Sequence, residues 1–385
     1  MPDRNPSRSK ARADVIIIGG GIIGLSIARE LARRGMRDIT LIERGELGKE
    51  ASWAAGGILA PQVEADKPNE FFHLSCSSRD RYSEFAAALT AETGIDVELD
   101  KTGTLYLGFN ADDEREMRRR YEWQTREGLQ LEWLMAEEAR RLEPNISDQI
   151  HCALLFPNDY QVENRQLVNA LIAANERLGV KLITNCEVRS VRMEKNRVIG
   201  VESSEGYVAA PVIVAAAGAW TSQLMPEQAS SGLKIEPVRG QMVCFNAPRL
   251  VRHVIYSSRG YLVPRRDGRL LAGSTSEHVG FEKRVTDDGM KSITSMAAEI
   301  APALKDLPVD DSWAGFRPHA VDDLPVLGPD AEVKGLFYAT GHYRNGILLA
   351  PITAELIADS VVNGVRPTLL ERFSPNRFHT VAIGV

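Results

Sequence analysis

Apolar and polar positions along this 385-residue chain repeat with two different periods, and the places where the period changes predict the elements. Asp14–Ile18 ends in a continuous apolar run and predicts a buried strand. Glycines follow it. Ile22–Arg34 then carries helical spacing, and Asp38–Ile42 returns to the strand pattern, so the opening predicts a βαβ unit on a parallel sheet. From Ala111 to Glu143 the chain is charged and helical in period, with Met117, Tyr121, Trp123 and Leu134 on apolar faces. Asn164–Leu178 predicts another amphipathic helix, with Arg165 and Lys181 bracketing its polar side. Short strands follow at Val180–Thr184, Val188–Met193, Val198–Glu202 and Val208–Ala215, turning at Lys195-Asn196 and Glu205-Gly206. Past Glu236 the texture is β, at Met242–Phe245, Gly260–Val263 and Leu270–Gly273, with Asp267-Gly268 as a hairpin turn. Thr286–Leu304 predicts a helix and Leu336–Ala339 a last strand. Ile347–Val362 closes as a helix expected to turn Thr353 and Asp359 outward.

The order α/β, then mixed β, then α/β predicts two domains between which the chain crosses more than once, and the length agrees at about 100–200 residues per domain. Hydrophobic residues make up 44% and charged residues 25%, the balance of a globular protein. A formal charge of −6 argues against nucleic-acid binding, which needs a net basic face. Cys76, Cys152, Cys186 and Cys244 lie far apart without a C-x-x-C, so neither a disulfide framework nor a zinc cage is indicated. No metal site is expected, and a reducing cytoplasm fits best. The apolar stretch Val15–Ala28 is shorter than the roughly 20 residues of a membrane span and is broken by glycines, so no membrane is expected. Residues 1–13 carry Arg4, Arg8, Lys10 and Arg12; Asp14 interrupts the junction with the apolar run, and the segment reads as a disordered tail rather than a secretory leader.

Gly19-Gly20-Gly21-Ile22-Ile23-Gly24 matches G-x-G-x-x-G between a strand and a helix, the context that a dinucleotide-binding turn requires. Glycine there permits a tight turn, close approach to a pyrophosphate and close helix–strand packing. The helix N-terminus offers its unpaired N–H groups to the phosphates. Glu43 ends the next strand, about 20 residues on, where a carboxylate accepts ribose hydroxyls. This favours FAD or NAD over NADP, with Arg44 beside it. Three later segments bear on FAD against NAD. Ala51–Gly57, with Ser52, Ala55, Gly56 and Gly57, is a small-residue run suited to backbone lying against a flat ring. Val212–Trp220 is a strand ending in small residues, Gly218 among them. Gly341–Gly346, with His342, Tyr343, Arg344 and Asn345, precedes the closing helix, whose N-terminus stabilises negative charge.

Taken together, Gly19–Gly24, Glu43-Arg44, Ser52–Gly57, Val188, Ala217–Trp220, Trp313–Pro318 and Gly341–Pro351 resemble the D-amino-acid oxidase family of flavoproteins, in family order over almost the whole chain. The resemblance implies an α/β fold. A Rossmann-like FAD-binding domain would form from residues 14–85, 160–232 and 326–378, and a substrate domain with a mixed antiparallel sheet from 86–159 and 233–325. It implies FAD held without a covalent bond, by Gly19, Gly21, Ile22, Ile23, Gly24, Glu43, Arg44, Ser52, Ala55, Gly56, Gly57, Val188, Gly218 and His342 through Leu348 (Ile347 included). It implies oxidation of a small amino acid by O2, releasing H2O2 and an imine that hydrolyses or enters thiazole assembly for thiamine. A homo-oligomer, a tetramer in the family, is implied as well. An alternative is a D-amino-acid dehydrogenase that passes electrons to a quinone.

The same resemblance assigns the substrate contacts. Arg317, expected in a loop stiffened by Pro318, would clamp the carboxylate with two parallel hydrogen bonds. Tyr261 and Arg344 would assist it. Ser276 aligns with a position where an apolar side chain lines a small substrate pocket, which leaves room for larger or hydrogen-bonding substrates. No general base stands out. The amine must be neutral to release a hydride, so activity is expected to rise toward alkaline pH.

Overall fold

The computed structural model describes residues 11–225, 229, 233–365 and 367–378 of the chain. Its central layer is a six-stranded sheet in the order Val326–Pro329, Leu336–Thr340, Val212–Ala215, Val15–Ile18, Ile39–Ile42, Lys181–Ile183. All neighbours are parallel except the first pair. Val15–Ile18 is buried at every position because it lies mid-sheet, with helices on one side and a β layer on the other. Burying one such isoleucine contributes about 1.5–3 kcal/mol. The helix Ile22–Arg33 covers the sheet, and the closing helix Gly346–Asn363 packs between it and the helix Glu70–Thr93. That closing helix is long and apolar enough to cross a membrane, yet 67% of it is buried inside the fold, as expected of a core helix.

On the opposite face, Ala11–Arg12, Gly206–Ala209, Arg197–Ser203 and Val188–Glu194 form a four-stranded sheet. The second large sheet has eight strands, ordered Val309–Ala320, Ile235–Asn246, Arg269–Gly273, Gly260–Pro264, Val254–Ser257, Thr104–Gly108, Cys152–Phe156, Glu132–Met135. It is antiparallel apart from the pairing of Val254–Ser257 with Thr104–Gly108. The helix Asp287–Ile300 covers one side of it. A Rossmann-like parallel layer beside a mixed, mainly antiparallel sheet is the fold class that the family resemblance implied.

Several local expectations give way. The helical period over Ala111–Glu143 resolves into a helix Ala111–Arg126, an edge strand Glu132–Met135 and a helix Ala136–Leu142, because Gly128 at φ +73° reverses the chain. Val208–Ala215 is two strands in two different sheets, parted at Ala210-Pro211, where proline removes a ladder donor. Thr353 faces inward rather than outward. It is fully buried, and its hydroxyl lies 3.0 Å from His342 Nε2. Asp359 pairs with Arg34, the residue that ends the first helix as its C-cap. The tail expectation for residues 1–10 lies outside the described residues, whereas Ala11–Arg12 is no tail: it pairs in parallel with Val208-Ala209, and Ala13 is buried.

Arg317 also departs from its expected loop. It sits in the edge strand Val309–Ala320, where Pro318 lies opposite Pro237 across the ladder. Two residues without N–H face each other there, and an edge strand tolerates the loss.

The first helix meets the sheet over Gly24, where a Cβ would lie 2.0 Å from the Gly19 carbonyl oxygen. Gly24→Ala is therefore expected to pry the turn from the helix, at about 1–3 kcal/mol of overpacking. Thermal melting checks this. A drop of at least about 2 °C is expected, and an unchanged Tm would show that the turn yields freely.

Candidate active site

The turn after the first strand is built from backbone that side chains would obstruct. Gly19 has φ +109°, and a Cβ there would lie 2.4 Å from the carbonyl oxygen of Ala216, at the end of the neighbouring strand. The helix Ile22–Arg33 starts from Gly21, which lends it no side-chain cap. Ser52 Oγ, 30 residues away in sequence, accepts from Ile22 N at 2.9 Å. Glu43 closes the far side: its carboxylate accepts from Gly20 N at 2.7 Å and from Gly45 N at 3.0 Å. Remaining first-turn N–H groups and the positive end of the helix are thus left for an anion.

These groups open into a cleft with about 1840 Å³ of empty space, its mouth included. The cleft brings together nearly every residue the sequence singled out. Gly19, Gly21, Ile22, Ile23, Glu43, Arg44, Ser52, Ala55, Gly56, Gly57, Val188 and Gly218 line it. So do Tyr261, Arg317 and the run His342–Ile347. Gly24 and Leu348 stand behind the lining: Gly24 packs on the turn, and the Leu348 carbonyl accepts from Ser78 Oγ at 2.6 Å. Arg44 lays its guanidinium over the Trp220 ring, 3.5 Å from the centroid.

The run Ala51–Gly57 forms a wall of the cleft and is held from outside it. Trp313 Nε1 donates to Ala54 O at 3.0 Å, and Asn164 Nδ2 donates to Ser52 O at 2.8 Å. A Cβ on Gly56 would lie 3.5 Å from the Tyr261 ring, so the wall of small residues comes close to the substrate side chains. The helix start, the glycine turn, the Glu43 carboxylate and this bare wall fit the phosphates, ribose and flat ring of FAD.

Arg317 defines the other end. Its Nη2 donates to Ser274 Oγ at 2.7 Å and its Nη1 to the Thr275 carbonyl at 3.1 Å, so two neighbours fix the plane of the fork. The fork lies over Gly240, where a Cβ would be 2.3 Å from Arg317 Nη1. Tyr261 turns its hydroxyl to Met242 Sδ at 3.4 Å, with its ring tilted against Tyr256 at 5.5 Å. Tyr256 in turn donates to Glu64 Oε1 at 2.6 Å. Burial, with the Glu64 carboxylate adding to it, holds the Tyr256 phenol well above its ordinary range.

Tyr343 has φ +49°, a left-handed backbone that costs an aromatic residue about 1–3 kcal/mol. Its N–H donates to Pro318 O at 2.9 Å and its ring packs on His319 at 4.9 Å, which hold it there. Burial alone would raise the Tyr343 phenol, but Ser276 and the cations of Arg344 and Arg317 bring it below the ordinary value. Arg344 keeps its charge because Tyr343 and Glu64 outweigh its desolvation. Burial pushes His342 down to about 3, so the imidazole is neutral under ordinary conditions. Ser276 is exposed, 3.5 Å from the Tyr343 hydroxyl, and is not part of the cleft lining. The expectation that it lines the small pocket gives way to a place outside it.

Sequence reasoning missed Gly240, Met242, Tyr256, Ser274 and Glu64, all of which line the cleft. None belongs to a contiguous motif. Strand pairing sets Tyr256 beside Tyr261 and Arg239-Gly240 beside Phe316-Gly315, while Glu64 comes from the end of the short helix Pro61–Glu64 and Ser274 directly follows the strand Arg269–Gly273.

A family model described as "FAD dependent oxidoreductase" (DAO) matches residues 14–360. The glycine oxidase of Pseudomonas aeruginosa is 37% identical over 358 residues, covering 92% of this chain and 96% of that one. The bifunctional protein ThiO/ThiG of Synechocystis sp. is 36% identical over 375 residues, 96% of this chain but 54% of that protein. The chain thus spans about half the length of the bifunctional relatives and nearly all of the single-function ones. Among solved structures, glycine oxidase from Geobacillus kaustophilus superposes with a TM-score of 0.90 at 34% identity, covering 95% of this chain and 99% of that one. FAD is the cofactor that the family model names and that the cleft fits. The chain belongs to the DAO family of FAD dependent oxidoreductases.

Proposed function

We propose that this protein oxidises glycine, or an amino acid nearly as small, with O2 as the electron acceptor. Glycine, O2 and water would give glyoxylate, ammonia and H2O2, by way of an imine that hydrolyses or is drawn into thiazole assembly for thiamine. The observation that carries the reading is the Arg317 fork, pinned by Ser274 and Thr275 in the same cleft as the glycine turn. Bound FAD supplies the hydride acceptor and, once reduced, the electrons for O2.

The protein's share is orientation and charge. Arg317 would take both oxygens of the substrate carboxylate, a geometry for which lysine has no equivalent. Tyr261 stands close to Gly56, so its hydroxyl would turn from Met242 to the carboxylate when substrate enters. Arg344 adds positive potential, tempered by Glu64. Turn and helix start would hold the pyrophosphate, Glu43 the ribose, and Ala51–Gly57 the ring. Non-covalent attachment is supported by the cysteines, none of which lines the cleft. The proposed division of the chain is a cofactor domain of residues 14–85, 160–232 and 326–378 and a substrate domain of residues 86–159 and 233–325. Assembly as a homo-oligomer is part of the same reading.

His342 stays neutral from about pH 4 upward, so it adds no charge switch near neutrality. The rising limb of activity with pH is then the substrate amine losing its proton.

Anaerobic stopped-flow mixing with glycine, sarcosine, D-alanine, D-proline and glycolate tests the proposal. Fast bleaching of the flavin band by glycine or sarcosine is expected, with rapid recovery in O2 and one H2O2 per turnover. Bleaching by bulkier D-amino acids alone, or recovery with a quinone but not with O2, would replace the oxidase by a dehydrogenase. Gly240→Ala is expected to displace the Arg317 fork and raise the glycine KM about tenfold or more, the worth of a charged hydrogen bond, with FAD retained. An unchanged KM would remove Arg317 from the carboxylate site.

A further inference from the structure

The wall Ala51–Gly57 belongs to the cofactor side of the cleft, whereas Arg317 and Tyr261 belong to the eight-stranded sheet. A hydride passes only if the two sides keep a fixed separation, and a misplacement of about 1 Å costs on the order of a hundredfold in rate. One buried cation joins them. Arg265 follows directly on the strand Gly260–Pro264 that carries Tyr261, at the start of the hairpin to Arg269–Gly273. Its side chain is 3% exposed. It leaves its own sheet and reaches beneath the cofactor wall.

Its donors are spent almost wholly on that wall and its support. Arg265 Nη2 donates to Gly56 O at 2.8 Å and to Asn164 Oδ1 at 3.0 Å. Nη1 donates to Val162 O at 3.0 Å and to Gln161 Oε1 at 3.2 Å. Asn164 passes the constraint on, since its Nδ2 holds Ser52 O, and Ser52 Oγ caps Ile22 N at the phosphate-binding helix start. Gly57 is pressed onto the same fork: a Cβ there would lie 2.0 Å from Val162 O and 3.0 Å from Arg265 Nη2. The charge is balanced by Glu163, itself 4% exposed, 3.2 Å from Arg265 Nε and 3.0 Å from Arg269 Nη2. Carbonyls 56 and 162 alone would not need a buried ion pair, which is weak as a source of stability.

We propose that Arg265 is a positioning residue for the oxidation: it locks the Gly56-Gly57 segment of the cofactor wall to the strand that carries Tyr261, and so sets the separation of substrate and cofactor. The inference rests on the FAD reading above. Arg265 touches neither ligand, and its effect passes through the Gly56 carbonyl and through Asn164. Lysine keeps the charge but loses the planar fork, so it restores the lock only in part.

The test uses FAD-loaded Arg265→Met, Arg265→Lys and Asn164→Ala proteins beside the wild type. Two quantities are read in each: the affinity for acetate, a carboxylate that cannot be oxidised, from its perturbation of the flavin band, and the limiting anaerobic rate of flavin reduction by glycine. In Arg265→Met the limiting rate is expected to fall about ten- to a hundredfold, with acetate affinity within about threefold and a shifted flavin band. Arg265→Lys recovers part of the rate. Should Arg265→Met lose its cooperative melt, Asn164→Ala carries the comparison, with a smaller fall in the limiting rate and the same unchanged acetate affinity. A folded, FAD-loaded Arg265→Met (or, in its place, Asn164→Ala) that is reduced at the wild-type rate overturns the inference, as does one that loses acetate affinity but keeps the rate. A wild-type protein whose flavin glycine does not reduce overturns the reading on which the inference rests.

Discussion

Everything in the site is referred to one close backbone contact, that of Gly19 with the carbonyl of Ala216. Two parallel strands end side by side, and only an absent side chain lets the turn after the first cross the end of the second. That crossing aims the start of the helix Ile22–Arg33 into the cleft, and Glu43 then closes the turn through Gly20. A larger residue at Gly19 would meet carbonyl oxygen, not a flexible side chain that could move aside. The partial positive charge at the helix start therefore has one direction, and the rest of the cleft is arranged along it.

The opposite end is organised by charge. Arg317 and Arg344 are both partly withdrawn from water, which disfavours two uncompensated cations in one cleft. The Glu64 carboxylate offsets the Arg344 charge through space, and Tyr256 donates its hydroxyl to that carboxylate. Among the described residues Arg317 has no carboxylate hydrogen-bond partner and is held instead by a hydroxyl and carbonyls. A site that keeps one cation uncompensated and rigid suits one carboxylate. The buried His342 contributes packing and a hydrogen bond to Thr353, not charge.

How much of this could be read along the chain depended on whether the residues were contiguous. The turn Gly19–Gly24, Glu43, the small-residue run Ala51–Gly57 and the segment Gly341–Gly346 are continuous, and each carries its chemistry in its own order. The structure brings all four to one cleft. Arg317 was legible as a residue but not as part of a strand, since Gly-Phe-Arg-Pro reads locally as a turn and only the edge position of Val309–Ala320 makes Pro318 tolerable there. Gly240 was invisible because its role is to leave space for the arm of a residue 77 positions on, in the facing strand. Arg265 is one of several charged residues around the Asp267-Gly268 hairpin, and nothing local says that it turns inward. Thr353 was misplaced for a related reason: a helix buried on nearly all sides has no outward stripe to which a hydroxyl can be assigned.

The central claim is that a rigid, uncompensated Arg317 fork holds a carboxylate against the flavin. Its most direct measurement is the titration of the FAD-loaded protein with acetate, in wild type and in Arg317→Met, followed by the perturbation of the flavin absorption band. The account predicts saturable perturbation in the wild type and a loss of at least about tenfold in affinity in the variant, the equivalent of one charged hydrogen bond, with the FAD content of the two proteins equal. Equal acetate affinity in the two proteins would contradict it.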